Sequence, residues 1–293
     1  MARTLPWVAA SCCIGWVADS TAYGEHRPVC SADGKSVVYM LQSERTDNDW
    51  ELYLLDIASR KRTRLTDHPG WDGYAVWSPD ARQIIFDRAD GVDGPKHPWM
   101  LDLQSMQFRP LGDFEGWMSV SDWREDGTLL AFHETGGQRD LVLLGLDGKI
   151  ERRLTATADE SEHDAHFSPD GRRIAFASGA VDGGQTTLEL LDLERDERTE
   201  LKRSPGRIYG LSWTPEGDQL AFVDAPGGDE DDADIFLYRF EDRSVQRVTD
   251  DPAWDHMPEF CGNRHILMFT SYRSGEERIY RIDPEPRPLL ITQ

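Results

Sequence analysis

The strongest constraint on this chain is an internal repeat. Six segments match one another along its 293 residues: 29–39, 76–86, 122–132, 166–176, 212–222 and 259–269. Their turn acids are Asp33, Asp80, Asp126, Asp170 and Glu216, and Asn263 holds the same place in the sixth. The intervals are therefore 47, 46, 44, 46 and 47 residues. A period in this range marks an array of one supersecondary unit that cannot bury its apolar face alone.

Each unit has a physical reading. An aromatic residue (Trp77, Trp123, Phe167, Trp213, Phe260, with Cys30 in the first) ends one strand. A Ser-Pro-Asp-Gly turn follows, in which proline presets its backbone angle, aspartate caps locally and glycine takes the left-handed position. A short apolar strand such as Ile174-Ala175-Phe176 comes next, then a third strand such as Glu51–Asp56 or Thr187–Asp192. A fourth ends in Leu-Thr, as at Arg64-Leu65-Thr66 and Arg153-Leu154-Thr155. Four short strands every ~45 residues describe a β-propeller blade. The expected fold is all-β, a six-bladed β-propeller with four antiparallel strands per blade. The blades fall near 25–66, 72–111, 118–155, 162–201, 208–249 and 255–292. Gly and Pro punctuate too often for helices. Ala81 stands where blade two should carry glycine, and a left-handed angle there costs about 1 kcal/mol unless the turn changes type.

These residues resemble the β-propeller repeat of the TolB family: a Trp-Ser-Pro-Asp-Gly turn, an Ile-Ala-Phe strand, an Ile-Tyr-x-x-Asp strand and an Arg-x-Leu-Thr strand. The resemblance covers roughly Tyr23 to Gln293, with no room for the N-terminal α/β domain of TolB itself. It implies a propeller and leaves function open, because the same repeat serves periplasmic interaction proteins, peptidase gating domains and some polysaccharide lyases.

Composition narrows the partners. Acidic residues number 54 and basic ones 32, a net charge of −22. That excludes a nucleic-acid footprint, which needs clustered cations, and disfavours anionic lipid. No apolar run is long enough for a membrane helix. Residues 1–22 read either as a signal peptide or as an extra strand closing the ring. Cys13–Val17 suits the second reading, although Pro288–Thr292 already offers blade six a fourth strand. Cys30 and Cys261 lie on the first and last blades, neighbours in a closed ring, but at different repeat phases, so a disulfide between them is left open.

No G-x-S-x-G, H-E-x-x-H, P-loop or dinucleotide fingerprint occurs. The acidic run Asp229–Asp234 reads as a solvated loop between strands two and three of blade five. The candidate site comes from aligning the blades on their turn acids. Seven to nine residues before each acid, the innermost strand opens beside the central channel. That places Trp71, Trp117, Arg207 and Trp254 in one ring, Glu25, Asp72, Glu162 and Asp255 in the next, and His26, His163, Tyr209 and His256 in a third, all expected to face one funnel. Asp164 and His166 lie nearby. Aromatic platforms with convergent polar groups suit a peptide or a sugar.

The expected function is a non-enzymatic module binding a protein, peptide or glycan. It is expected as a monomer in the periplasm or secreted, or otherwise in the cytoplasm. No cofactor is expected. The alternative is an enzyme resembling the oligogalacturonide-type lyases, with acid-histidine pairs of blades one, four and six holding a divalent metal. The negative charge counts against a polyuronate substrate.

Overall fold

A computed structural model describes residues 25–42, 50–89, 94–157, 160–180, 184–228, 233–262 and 266–282, together with the backbone of Gly15–Trp16. The first described element is β1 (Gly15–Trp16). Blade one holds β2 (Glu25–Cys30), β3 (Ser36–Gln42), β4 (Trp50–Asp56) and β5 (Arg62–Arg64). Blade two holds β6 (Trp71–Trp77), β7 (Gln83–Ala89), β8 (His97–Asp102) and β9 (Gln107–Pro110). Blade three holds β10 (Trp117–Trp123), β11 (Leu129–Thr135), β12 (Gln138–Leu144) and β13 (Ile150–Arg153). In blade four come β14 (Glu160–Phe167), β15 (Arg173–Ala180), β16 (Thr186–Asp192) and β17 (Glu197–Ser204). Blade five holds β18 (Arg207–Trp213), β19 (Gln219–Ala225), β20 (Asp234–Arg239) and β21 (Val245–Arg247). Blade six has β22 (Asp255–Cys261), β23 (Ile266–Ser271) and β24 (Arg278–Ile282).

Among the described residues all pairings are antiparallel, and the six sheets of the expected propeller are present. The sixth runs β1-β24-β23-β22, so its outer strand comes from the other end of the chain, through Gly15↔Arg281 and Trp16↔Tyr280. The strand expected at Pro288–Thr292, the rest of 1–22, Asn263 and most of the acidic run lie outside the described residues. Asp234, the last of that run, opens β20.

The repeat residues explain themselves in the packing. The residue ending each second-strand motif, Tyr39, Phe86, Phe132, Phe176, Phe222 or Phe269, is buried between neighbouring sheets. Each such side chain contributes about 1.5–3 kcal/mol. The aromatics before the turns are core as well. Trp77 Nε1 donates to Val29 O of the preceding blade at 2.9 Å, and Trp213 Nε1 to His166 O at 3.2 Å. In the turn of blade two, Ser78 Oγ donates to Asp80 Oδ1 at 2.7 Å and accepts from Gln83 N at 2.9 Å. Ala81 keeps the left-handed angle there, at φ 56°. The Leu-Thr ending also has a cause. Thr66, Thr155 and Thr249 accept from the backbone N–H of Leu52, Leu141 and Ile235 at 2.8–2.9 Å, fastening the outer strand to the third.

Cys30 and Cys261 form a disulfide, with Cα atoms 5.2 Å apart. The phase difference is absorbed where the blade-one and blade-six turns press together. A Cβ on Gly34 would lie 3.2 Å from Gly262 Cα, and both glycines have positive φ.

Candidate functional site

The inner strands β2, β6, β10, β14, β18 and β22 neighbour one another around the channel. Each carries an irregularity near its middle, with register shifts at His26/Val29, Gly73/Val76, Val120/Asp122, His163/His166, Tyr209/Ser212 and His256/Glu259. In five blades the first bulged residue has positive φ: Arg27 at 50°, Tyr74 at 53°, Asp164 at 48°, Gly210 at 59° and Met257 at 51°. Four of these are not glycine, and each costs about 1–3 kcal/mol that the surrounding sheets must offset. Such bulges aim side chains away from the regular alternation. Arg27, Tyr74, Asp164 and Met257 accordingly line both of two cavities and form a waist between them.

The wider cavity, 720 Å³, is the expected funnel. His26, Trp117, His163, Arg207, Tyr209 and Trp254 line it, as the blade alignment predicts. Trp254 Nε1 donates to Tyr209 OH at 2.8 Å, and the ring stacks on His256 with centroids 3.8 Å apart. His163 Nε2 is 3.0 Å from Ile208 O, so it also ties blade four to blade five. No carboxylate pairs with Arg207 among the described residues; its guanidinium lies over the Tyr209 ring at 5.3 Å.

The other six expected residues do not face the funnel, and the reasons are physical. Glu25, Asp72, Glu162 and Asp255 are wholly buried, because the position before each histidine or its equivalent turns between the blades. Arg62 holds Glu25 at 2.7 Å, Arg88 grips Asp72 with two bonds of 2.7 Å, and Arg273 holds Asp255 at 2.6 Å. Thr155 and Thr157 hold Glu162 at 3.1 and 3.0 Å; burial nonetheless pushes its carboxyl up to about 7. Trp71 is buried beneath Lys96, whose ammonium is 3.8 Å from its ring centre, 4.9 Å from that of Tyr74 and 4.8 Å from that of Trp117. That box, expected as an open platform, is filled by the chain's own cation. Below it lies Asp87, fully buried, and burial pushes its carboxyl up to about 7. His256 is fully buried under Trp254.

Residues outside the expected set matter too. Arg27 reaches Asp164 at 3.8 Å and covers the Tyr74 ring at 4.4 Å, while Phe132, Glu134 and Arg139 of blade three also line the funnel. Glu277, just before β24, takes a 2.7 Å bond at Oε1 from His26 Nδ1 and lies 3.1 Å from His256 Nε2. Burial pushes Glu277 up, but the two imidazoles outweigh it and hold the carboxyl at about 2. Burial pushes His256 down to about 4. On the far side of the waist, a 430 Å³ chamber holds Asp122, His166 and Glu259. There burial pushes Glu259 up to about 8, against the bond from Ser212 Oγ at 3.1 Å. Glu277 and the waist residues carried no repeat signal, because one sits in an inter-strand loop and the others become visible only through the bulge.

The comparisons agree with this architecture. Residues 166–286 match the TolB beta propeller domain model. The Tol-Pal system protein TolB of Francisella tularensis subsp. mediasiatica is 25% identical over 197 residues, 67% of this chain and 44% of the relative. The chain spans less than half the length of the curated relatives it matches. Among solved structures, TolB from Acinetobacter baumannii superposes with a TM-score of 0.69 at 17% identity, covering 82% of this chain and 58% of that one. An oligogalacturonate lyase in complex with manganese superposes with a TM-score of 0.59 at 16% identity, covering 92% and 96%. At such identities the structures share the fold alone. The chain is a six-bladed β-propeller, and its repeats over residues 166–286 are similar to those of the TolB beta propeller domain.

Proposed function

We propose that this propeller is a binding module that captures a segment of a partner protein in its funnel. The observation that carries the reading is the 720 Å³ funnel, whose wall combines Trp117, Tyr209 and Trp254 with His163 and Arg207. Flat rings next to convergent polar groups hold an extended peptide at small entropic cost. The match to a Tol-Pal system protein supports a role in an envelope protein assembly. A covalent Cys30–Cys261 pair supports an oxidising compartment such as the periplasm. No helix among the described residues is long and apolar enough to cross a membrane.

The lyase alternative is less well supported. Its four carboxylates are buried, three of them against arginines and Glu162 against threonines, and none is placed against a substrate in the funnel.

The test is selection of peptides from a displayed random library, followed by titration of the winners. Funnel binders should have micromolar affinity and lose about tenfold or more on Tyr209→Ala or Arg207→Ala, with Phe108→Ala on the outer edge as control. Selected peptides that bind all three variants like the parent would overturn the reading. So would an absence of peptide binders beside an oligosaccharide that binds and is lost on the same substitutions.

A further inference from the structure

We propose that His26, His256 and Glu277 form a binding site for one divalent transition-metal ion at the seam between blades one and six. The seam is where the ring closes: β22, β23 and β24 meet β1 and β2 from the far end of the repeat array. His26 on β2 and His256 on β22 occupy the same repeat position, so ring closure brings the two imidazoles side by side, with centroids 5.1 Å apart. Glu277 enters between them from the β23–β24 loop. One ligand atom from each of the three lies within 4.8 Å of the others, close to what a single ion with bonds of about 2.1 Å requires.

A second observation points to a ligand. His256 is fully buried, yet its Nδ1 meets no hydrogen-bond partner, and its Nε2 has only the ion-pair contact with Glu277. A buried imidazole this poorly satisfied is uncommon, since each unmet polar atom keeps its desolvation penalty. Trp254 stacked on one ring face holds the imidazole in place. Without metal, the bond from His26 Nδ1 to Glu277 Oε1 holds the ligands together.

The donor set selects the ion. Two imidazoles and one carboxylate suit Zn²⁺ or Mn²⁺, whereas Ca²⁺ and Mg²⁺ prefer oxygen alone. His26 also lines the funnel, so a fourth coordination position opens there. Of the acid-histidine pairs in the sequence alignment, only the histidines of blades one and six converge on this site. Glu25 and Asp255 are taken by arginines, and in blade four His163 is taken by a backbone carbonyl and Glu162 by threonines. Cys30 and Cys261 join the other ends of the same two strands, so the ion adds a second cross-link to the seam.

The test needs the metal alone. Chelator-stripped protein is titrated calorimetrically with ZnCl₂, MnCl₂ and CaCl₂, and its Co²⁺ absorption spectrum is recorded. One equivalent of Zn²⁺ should bind, more tightly than Mn²⁺, with no stoichiometric Ca²⁺ uptake. Glu277→Gln and His26→Ala should each weaken Zn²⁺ by about tenfold or more and alter the Co²⁺ spectrum. His163→Ala should do neither. No stoichiometric Zn²⁺ uptake by the parent, or equal uptake by Glu277→Gln, overturns the site. His256→Ala completes the series where it folds; the other two variants decide the matter where it does not.

Discussion

Arg27 of blade one and Asp164 of blade four meet 3.8 Å apart across the channel axis, although their blades stand opposite each other in the ring. Both residues sit at bulges with left-handed backbone, and the arginine's guanidinium carbon lies 4.4 Å from the centre of the Tyr74 ring. The pair therefore bars the channel at its waist. A double-mutant cycle with Arg27→Ala and Asp164→Ala should give a coupling of about 0.5–1 kcal/mol in denaturant unfolding, because the channel is only partly desolvated. A coupling indistinguishable from zero would mean that the contact is incidental.

The seam disulfide should dominate the stability of the ring. In the chain-entropy model a cross-link closing a loop of more than 200 residues is worth about 5 kcal/mol, and native strain lowers the yield. Cys30→Ala/Cys261→Ala should lower the urea midpoint strongly, and reductant should bring the parent to the same value. A parent unmoved by reductant would show that the two thiols do not pair in solution.

Ala81 holds φ 56° in a turn whose equivalents in blades one, three, four and five carry glycine. Ala81→Gly removes the Cβ clash and adds some unfolded-state freedom. The net should be a gain of about 0.5–1 kcal/mol, or about 2 °C in Tm. An unchanged or lower melting temperature would show that the turn relaxes around alanine.

Asp87 predicts the pH dependence. Burial raises its native carboxyl to about 7, above its ordinary 3.8, so the folded state binds the proton more tightly than the unfolded one. Its contribution is complete below about pH 4 and is lost as pH rises through 7, by up to about 1.4 kcal/mol per unit at the steepest. Asp87→Asn should flatten this part of the stability profile and gain on the parent at pH 8. Parallel profiles for the two proteins would rule Asp87 out as its source.

The fold was legible because its unit is written six times at one phase: five of the six turns carry an acid, five are preceded by a buried ring, and the Leu-Thr ending or its equivalent recurs in several blades. The site was only half legible. Counting back from the turn acid places His163, Tyr209 and Trp254 correctly, since they follow the pleat. It misplaces Glu25, Asp72, Glu162 and Asp255, whose parity sends them between the blades, where arginines or threonines meet them. It misses Arg27, Tyr74 and Met257, because a bulge breaks alternation at that point and four of the five bulged residues with positive φ are not the glycine that would announce it. Glu277 lies outside the repeat phase altogether.

The pairing of β1 with β24 bears on how the molecule comes into being. Trp16 is synthesised 264 residues ahead of its backbone partner Tyr280. Five blades can mature as they emerge, but the sixth sheet cannot be completed until β24 has been synthesised. Until then the exposed flanks of blades one and five present unsatisfied apolar surface to whatever is nearby. Late closure of this kind is slow, since its contacts join residues some 264 positions apart. A nascent chain released early would have an open ring, and the cell's holding and degrading machinery could distinguish it from a finished one by that gap alone.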